Sequence, residues 1–286
     1  MKKAYLTLKK YFPLIVIGIS IIGILGATAF TYAYDRSVLT LNYNSPIVAA
    51  FLILVVLAFA FIVVLSIHLR GMRLNKIKKH TRLTSFCAIF AAIMTFGAFI
   101  NDILNITLYD MSYNVIQYIK MVLSLGVCVY FIIESLPRFI NRKWVIIPAF
   151  IRKALSICAI LWAVLGVFVS FFTVYKNLTT TSIILTTHTL AHVAMALFFI
   201  YEAGREFVKG KYAMLIFSSL TTALICLAFS GALVVCVMIG TMNVSDLGFT
   251  VFEHFATASI GLFAISRTYS ILKTLRLVLI NDSQEI

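Results

Sequence analysis

The sequence predicts an all-α integral membrane protein: a bundle of eight transmembrane helices built from repeated two-helix hairpins, with both termini cytoplasmic. Three observations carry this prediction. Of 286 residues, 62% are hydrophobic and the mean hydropathy is +1.03, while charged residues make up only 12%, against about 25% in soluble domains. Apolar runs of about twenty residues, the length that crosses a bilayer as a helix, recur along the whole chain. Lysine and arginine are concentrated in alternate connections. Together these exclude a water-soluble enzyme, a disordered tail and a nucleic-acid-binding domain, although the net charge is +14 and the pI about 9.7.

The spans follow in order. Residues 12–32 come after a basic start and contain Ala27-Thr28-Ala29, which resembles a secretory cleavage site. The apolar core is long for a cleaved signal, and removing it would leave an odd number of spans, so it is expected as a retained first helix. The next spans are 46–69, 83–108, 113–136, 154–175 and 181–201. The seventh, 212–240, is long enough to be tilted or kinked near Gly231, and the eighth is 247–271. Beyond it, 270–280 reads as a basic amphipathic extension along the membrane surface. Connections are short, 137–153 being the longest, so residues 1–286 are expected to form a single polytopic membrane domain.

Charge sets the orientation. With the termini inside, twenty-one lysines and arginines fall on the inner side, while only Arg36 and Lys176 fall outside and Lys120 lies within a span. The expected partners are therefore anionic lipids at the cytoplasmic face of the plasma membrane, not nucleic acid. A homo-oligomer or a membrane partner is compatible with the same features. The five cysteines (Cys87, Cys128, Cys158, Cys226, Cys236) all fall within spans, form no CxxC pair and read as small packing residues.

The fourth, sixth and eighth spans share an internal repeat. Val129-Tyr-Phe-Ile-Ile-Glu134, Leu197-Phe-Phe-Ile-Tyr-Glu202 and Leu262-Phe-Ala-Ile-Ser-Arg267 are separated by 68 and 65 residues. The same offsets align Lys120 with His188 and Glu253, and Ser124 with His192 and Thr257. Spacing of i, i+4 and i+14 puts all three positions on one helix face. The second span reads as a degenerate fourth copy. Such repeats occur in transport folds and equally in bundles that transport nothing.

Ionisable residues inside spans cost roughly 2.5–3.5 kcal/mol each near the bilayer centre and mark functional sites by default. They form two layers. The outer layer holds Asp102, Lys120, His188, His192, Glu253 and His254, and these are expected to converge on one wet cavity open or nearly open to the outside. His188 and His192 stand one helical turn apart, the spacing with which a helix chelates a divalent metal such as zinc, and Asp102 or Glu253 can complete the set. Lys120 argues the other way. It can pair with a carboxylate and leave the histidines as proton carriers or as donors to a polar organic ligand. A purely structural reading, polar contacts between helices, accounts for the same residues. The inner layer, Glu134, Glu202 and Arg267, reads as pairs snorkelling at the cytoplasmic interface or as a cytoplasmic gate.

The His188-x3-His192 pair resembles that of the seven-helix zinc hydrolases of the alkaline ceramidase and adiponectin-receptor type. The resemblance covers those two histidines alone. Family members also need a third histidine and an acidic and serine constellation, and what the resemblance implies is an intramembrane zinc hydrolase. Three functions therefore stand: recognition of a small ligand or cation from outside, by a transporter or a membrane sensor; metal-dependent hydrolysis; and a non-catalytic assembly subunit. No P-loop, nucleophile elbow or dinucleotide fingerprint is present.

Overall fold

A computed structural model describes residues 2–35, 40–41, 45–69, 81–108, 114–139, 148–176, 183–207, 212–242 and 251–282. Much of the inner basic charge lies outside these residues or on side chains that are not described. The described chain is helical apart from a two-residue antiparallel pairing of Tyr34–Asp35 with Thr40–Leu41. The helices are α1 (Lys2–Ala33), α2 (Pro46–His68), α3 (Arg82–Leu108), α4 (Val115–Phe139), α5 (Ala149–Lys176), α6 (Ile183–Phe207), α7 (Tyr212–Ile225), α8 (Ala232–Met238) and α9 (Val251–Asp282). A π-helical turn, Cys226–Gly231, joins α7 to α8 in the region where the sequence allows a kink.

Among the described residues, seven segments are long and apolar enough to cross a membrane: Lys10–Ala33, Pro46–His68, Arg82–Leu108, Val115–Leu136, Phe150–Phe171, Tyr212–Met238 and Val251–Lys273. This is the architecture of a multi-pass membrane protein. Helix α6 is 25 residues long, about 38 Å at 1.5 Å per residue. It carries His188, His192 and Glu202 and is not one of the seven.

Local sequence explains where helices begin and end. Pro46 opens α2, where its fixed φ suits the first turn and its missing N–H is no loss. Gly240 closes α8 at φ 76°, a left-handed conformation that a side chain disfavours, and its N–H is bonded to the Val237 carbonyl. Within the bundle, α3, α4, α5, α6 and α7 each pack on the next, and α9 closes the ring by packing on both α7 and α3. Helices α1 and α2 lie outside this ring, against α7, the π turn and α8.

Helix α9 is the hub. Ala256, Ile260, Phe263, Ala264, Arg267, Ser270 and Ile271 along it are all fully buried. Polar contacts between helices fix the alignment. Thr84 near the start of α3 bonds Ser270 (2.6 Å) and the Ser266 carbonyl (3.1 Å) late in α9. Thr222 of α7 donates to the Ala194 carbonyl of α6 (2.8 Å), and Cys236 of α8 donates to the Ala27 carbonyl of α1 (3.3 Å). Contacts between the starts of α4, α6 and α9 make those three parallel, with α3 antiparallel to α9.

The π turn meets α1 with almost no clearance. A Cβ at Gly26 would sit 2.6 Å from the Ala228 carbonyl oxygen and 2.9 Å from the Phe51 ring. Phe51 also packs edge-on against Phe30 and Phe229 (5.6 and 5.7 Å). Gly26→Val should therefore cost about 1–3 kcal/mol through overpacking. The expected result is a lower midpoint for loss of monodisperse protein on heating in detergent, with Gly18→Val, whose Cβ would meet nothing within 4 Å, as the tolerated control.

Candidate functional site

The site forms where the N-terminal halves of α4, α6 and α9 meet the middle of α5. Helix α4 supplies Lys120, α6 supplies His188 and His192, and α9 supplies Glu253 and His254. Lys120 Nζ is bonded to Glu253 Oε1. The same oxygen lies 3.6 Å from His188 Nε2 and 3.9 Å from His192 Nε2. Ligand atoms of His188, His192 and Glu253 all fall within 4.8 Å of one another.

Hydrogen bonds on the far side of each imidazole decide which nitrogen carries the proton. His192 Nδ1 is 3.0 Å from the His188 carbonyl oxygen, which can only accept, so Nδ1 holds the hydrogen and Nε2 the lone pair. Ser170 Oγ donates to the Gly166 carbonyl (2.8 Å), which leaves it to accept from His188 Nδ1 (2.9 Å). His188 Nε2 is therefore also a lone pair. Two imidazole lone pairs and one carboxylate oxygen face each other across less than 5 Å. Lys120 Nζ serves the carboxylate oxygen, while the two imidazole nitrogens face that oxygen as further acceptors. His192 Nε2 is buried and makes no hydrogen bond.

Helix α5 shapes this arrangement through residues the sequence reading missed. A Cβ at Gly166 would come within 1.8 Å of His192 Cδ2 and 2.3 Å of Nε2, so only glycine leaves room for the ring. Trp162 packs on the His192 ring (5.4 Å between centroids) and presents its face to Lys120 Nζ at 5.7 Å. Trp162, Gly166 and Ser170 recur every fourth residue, so they form one stripe along α5. That stripe was visible in the sequence, but the only tryptophan in any predicted span had no polar residue beside it to draw notice.

The remaining predicted residues take distinct places. The His254 ring lies 5.4 Å from His188 and is buried, but its nitrogens do not join the triad of ligand atoms. Asp102, half-buried on α3, stays outside the triad too. The cavity expected to stand nearly open is instead closely packed: His188, His192 and His254 are each at most 1% exposed. Only Glu253 and Asp102 keep partial exposure among the six.

The inner layer departs from expectation in a second way. Arg267 Nε–H donates to Glu202 Oε1 at 2.7 Å, joining α9 to α6, and both residues are buried (0% and 2% exposed). Glu134 on α4 is also buried. These are not snorkelling pairs one turn apart on a single helix. Both side chains face inward, between α6 and α9. Between the two layers lie Phe131, Phe198, Phe199 and Phe263, all buried, with ring centroids 5.1–6.1 Å apart. Phe198 is about 9 Å along α6 from His192, so an aromatic layer divides the outer cluster from the inner ion pair.

Removing one partner of a buried pair strands the other charge. Glu202→Gln should destabilise the protein by about 3–5 kcal/mol. The double variant Glu202→Gln with Arg267→Met should recover much of that loss in a thermal-unfolding series in detergent. Equal loss in both would argue that packing, not the stranded guanidinium, sets the cost.

No protein-family model, no curated protein and no solved structure matches this chain, so the chemistry of the site is read from its own geometry.

Proposed function

We propose that this multi-pass membrane protein recognises a divalent transition-metal cation, zinc or a close analogue, at His188, His192 and Glu253, as a transporter or as the membrane sensor of a partner. The observation that carries this reading is the convergence of two Nε2 lone pairs on Glu253 Oε1. Tetrahedral zinc with ligand bonds of 2.0–2.1 Å spaces its ligand atoms about 3.4 Å apart, close to the 3.6 and 3.9 Å found here. Imidazole nitrogen favours zinc, copper, nickel and iron over magnesium or calcium. The bonds from His188 to Ser170 and from His192 to a carbonyl are the outer-shell contacts that hold metal-binding imidazoles in place.

In this reading α6 is the eighth crossing. Its polar face is turned into the ring, which spares the lipid its histidines and Glu202. The hairpins alternate, both termini are cytoplasmic, and the basic residues hold the inner face to the anionic leaflet of the plasma membrane. The cation is taken up from outside, past Glu253 and Asp102. The Phe131–Phe199–Phe263 layer and the Glu202–Arg267 pair close the path towards the cytoplasm, with Glu134 beside it as part of that gate.

Equilibrium dialysis of the purified protein against zinc, followed by elemental analysis, tests the reading. One equivalent of zinc should be retained by the wild type and lost in His188→Ala with His192→Ala. Gly166→Ala should weaken binding by at least about tenfold, because the new methyl displaces His192 from the triad. Failure of the wild type to hold zinc, cobalt or manganese would overturn the proposal. Zinc uptake into proteoliposomes separates transport from sensing.

A further inference from the structure

We infer that Lys120 is a tethered competitor for the metal: its ammonium and the ion take turns on Glu253 Oε1, and metal binding passes Lys120 to Asp102 on α3. This inference rests on the metal reading above and adds what sets the affinity and selectivity of the site.

The starting point is that one oxygen serves two contacts. Glu253 Oε1 accepts Lys120 Nζ, and it is also the atom nearest both His188 Nε2 and His192 Nε2. An ammonium on that oxygen and a divalent ion bound to it and to both imidazoles would stand within a few ångströms of each other. In a dry interior like charges at that range repel strongly, so one must leave.

The surroundings give the ammonium somewhere to go. Asp102 stands half-buried on α3, which packs directly on α4, the helix that carries Lys120. The Trp162 face lies 5.7 Å from Nζ, and a lysine can slide along an indole ring while keeping a cation–π contact. Four rotatable side-chain bonds allow the exchange while the α4 backbone stays in place. His188 and His192 are held by Ser170 and by a carbonyl and need not move.

Selectivity follows from this competition. A sodium or potassium ion brings no more charge than the ammonium it would replace and gains little from imidazole, so it loses. Magnesium and calcium bring two charges but bind nitrogen poorly. A transition-metal ion gains the carboxylate and both lone pairs together, and it alone displaces the lysine. Lys120 is thus a selectivity residue that acts without binding the ion. Asp102 acts only through Lys120, as the seat it moves to.

The two ideas part company in one set of measurements. Zinc affinity is measured by competition dialysis on full-length protein in detergent for the wild type, Lys120→Met, Asp102→Asn and the double variant, with monodisperse elution as the check on folding. Lys120→Gln carries the same test where Lys120→Met does not fold. The expected result is zinc binding about tenfold or more tighter in Lys120→Met, since a repelling charge has gone. Asp102→Asn should weaken binding several-fold when Lys120 is present and by less than twofold when it is not, a coupling that a direct ligand would not give. Binding in Lys120→Met equal to or weaker than in the wild type would overturn the inference and leave the metal site standing. So would an equal loss from Asp102→Asn in both backgrounds, which would make Asp102 a ligand. Absence of zinc binding from both the wild type and Lys120→Met would overturn the metal site and this inference with it.

Discussion

Glu253 carries a negative charge into the first turn of α9, where a carboxylate largely withdrawn from water needs compensation, and the neighbouring helices are arranged to answer it. Lys120 reaches it from α4, and His188 and His192 turn their lone pairs towards it from α6. Helix α9 is thereby tied to two helices that it would otherwise touch only lightly. At the other end of α6 and α9, Glu202 and Arg267 form a second compensated pair, with the positive charge now on α9. Two compensated charge layers thus hold a helix rich in polar residues inside an apolar bundle.

The layers differ in what compensation leaves over. Glu202 and Arg267 form a buried charge-assisted hydrogen bond, which suits a fastening. At Glu253 one oxygen faces a donor and two further acceptors at once. Imidazoles whose Nδ1 protons are already committed to Ser170 and to a backbone carbonyl have only lone pairs to offer. That surplus of acceptors is the chemical distinction between the two layers, and the proposed metal site rests on it. The aromatic layer keeps the two apart, so that neither charge set can relax onto the other.

Much of this was legible in the sequence. The long apolar runs gave helices at almost the residues found, because a backbone without water must bond to itself. The repeat put Lys120, His188 and Glu253 at equivalent positions, and these are residues that meet. The inner pair was harder to read. Glu202 and Arg267 are 65 residues apart, and periodicity gives each a helix face without giving the face a neighbour. Their place towards the helix ends suggested an interface, whereas the pairing of α6 with α9 encloses both side chains. Gly166 was illegible for a different reason: an absent side chain leaves no pattern, and its meaning lies entirely in the imidazole that fills its place.

The sequence by itself determined the helices, their polarity and the inventory of charges available inside the bundle, since each follows from local hydrophobicity and spacing. Only the tertiary structure decided which charges face one another. That depends on the order of helices around the ring, on α9 being its hub, and on a close approach at Gly166 that turns His192 towards Glu253. A lone pair becomes a ligand only through its distance and direction to another atom, and these are set by packing between helices far apart in the chain.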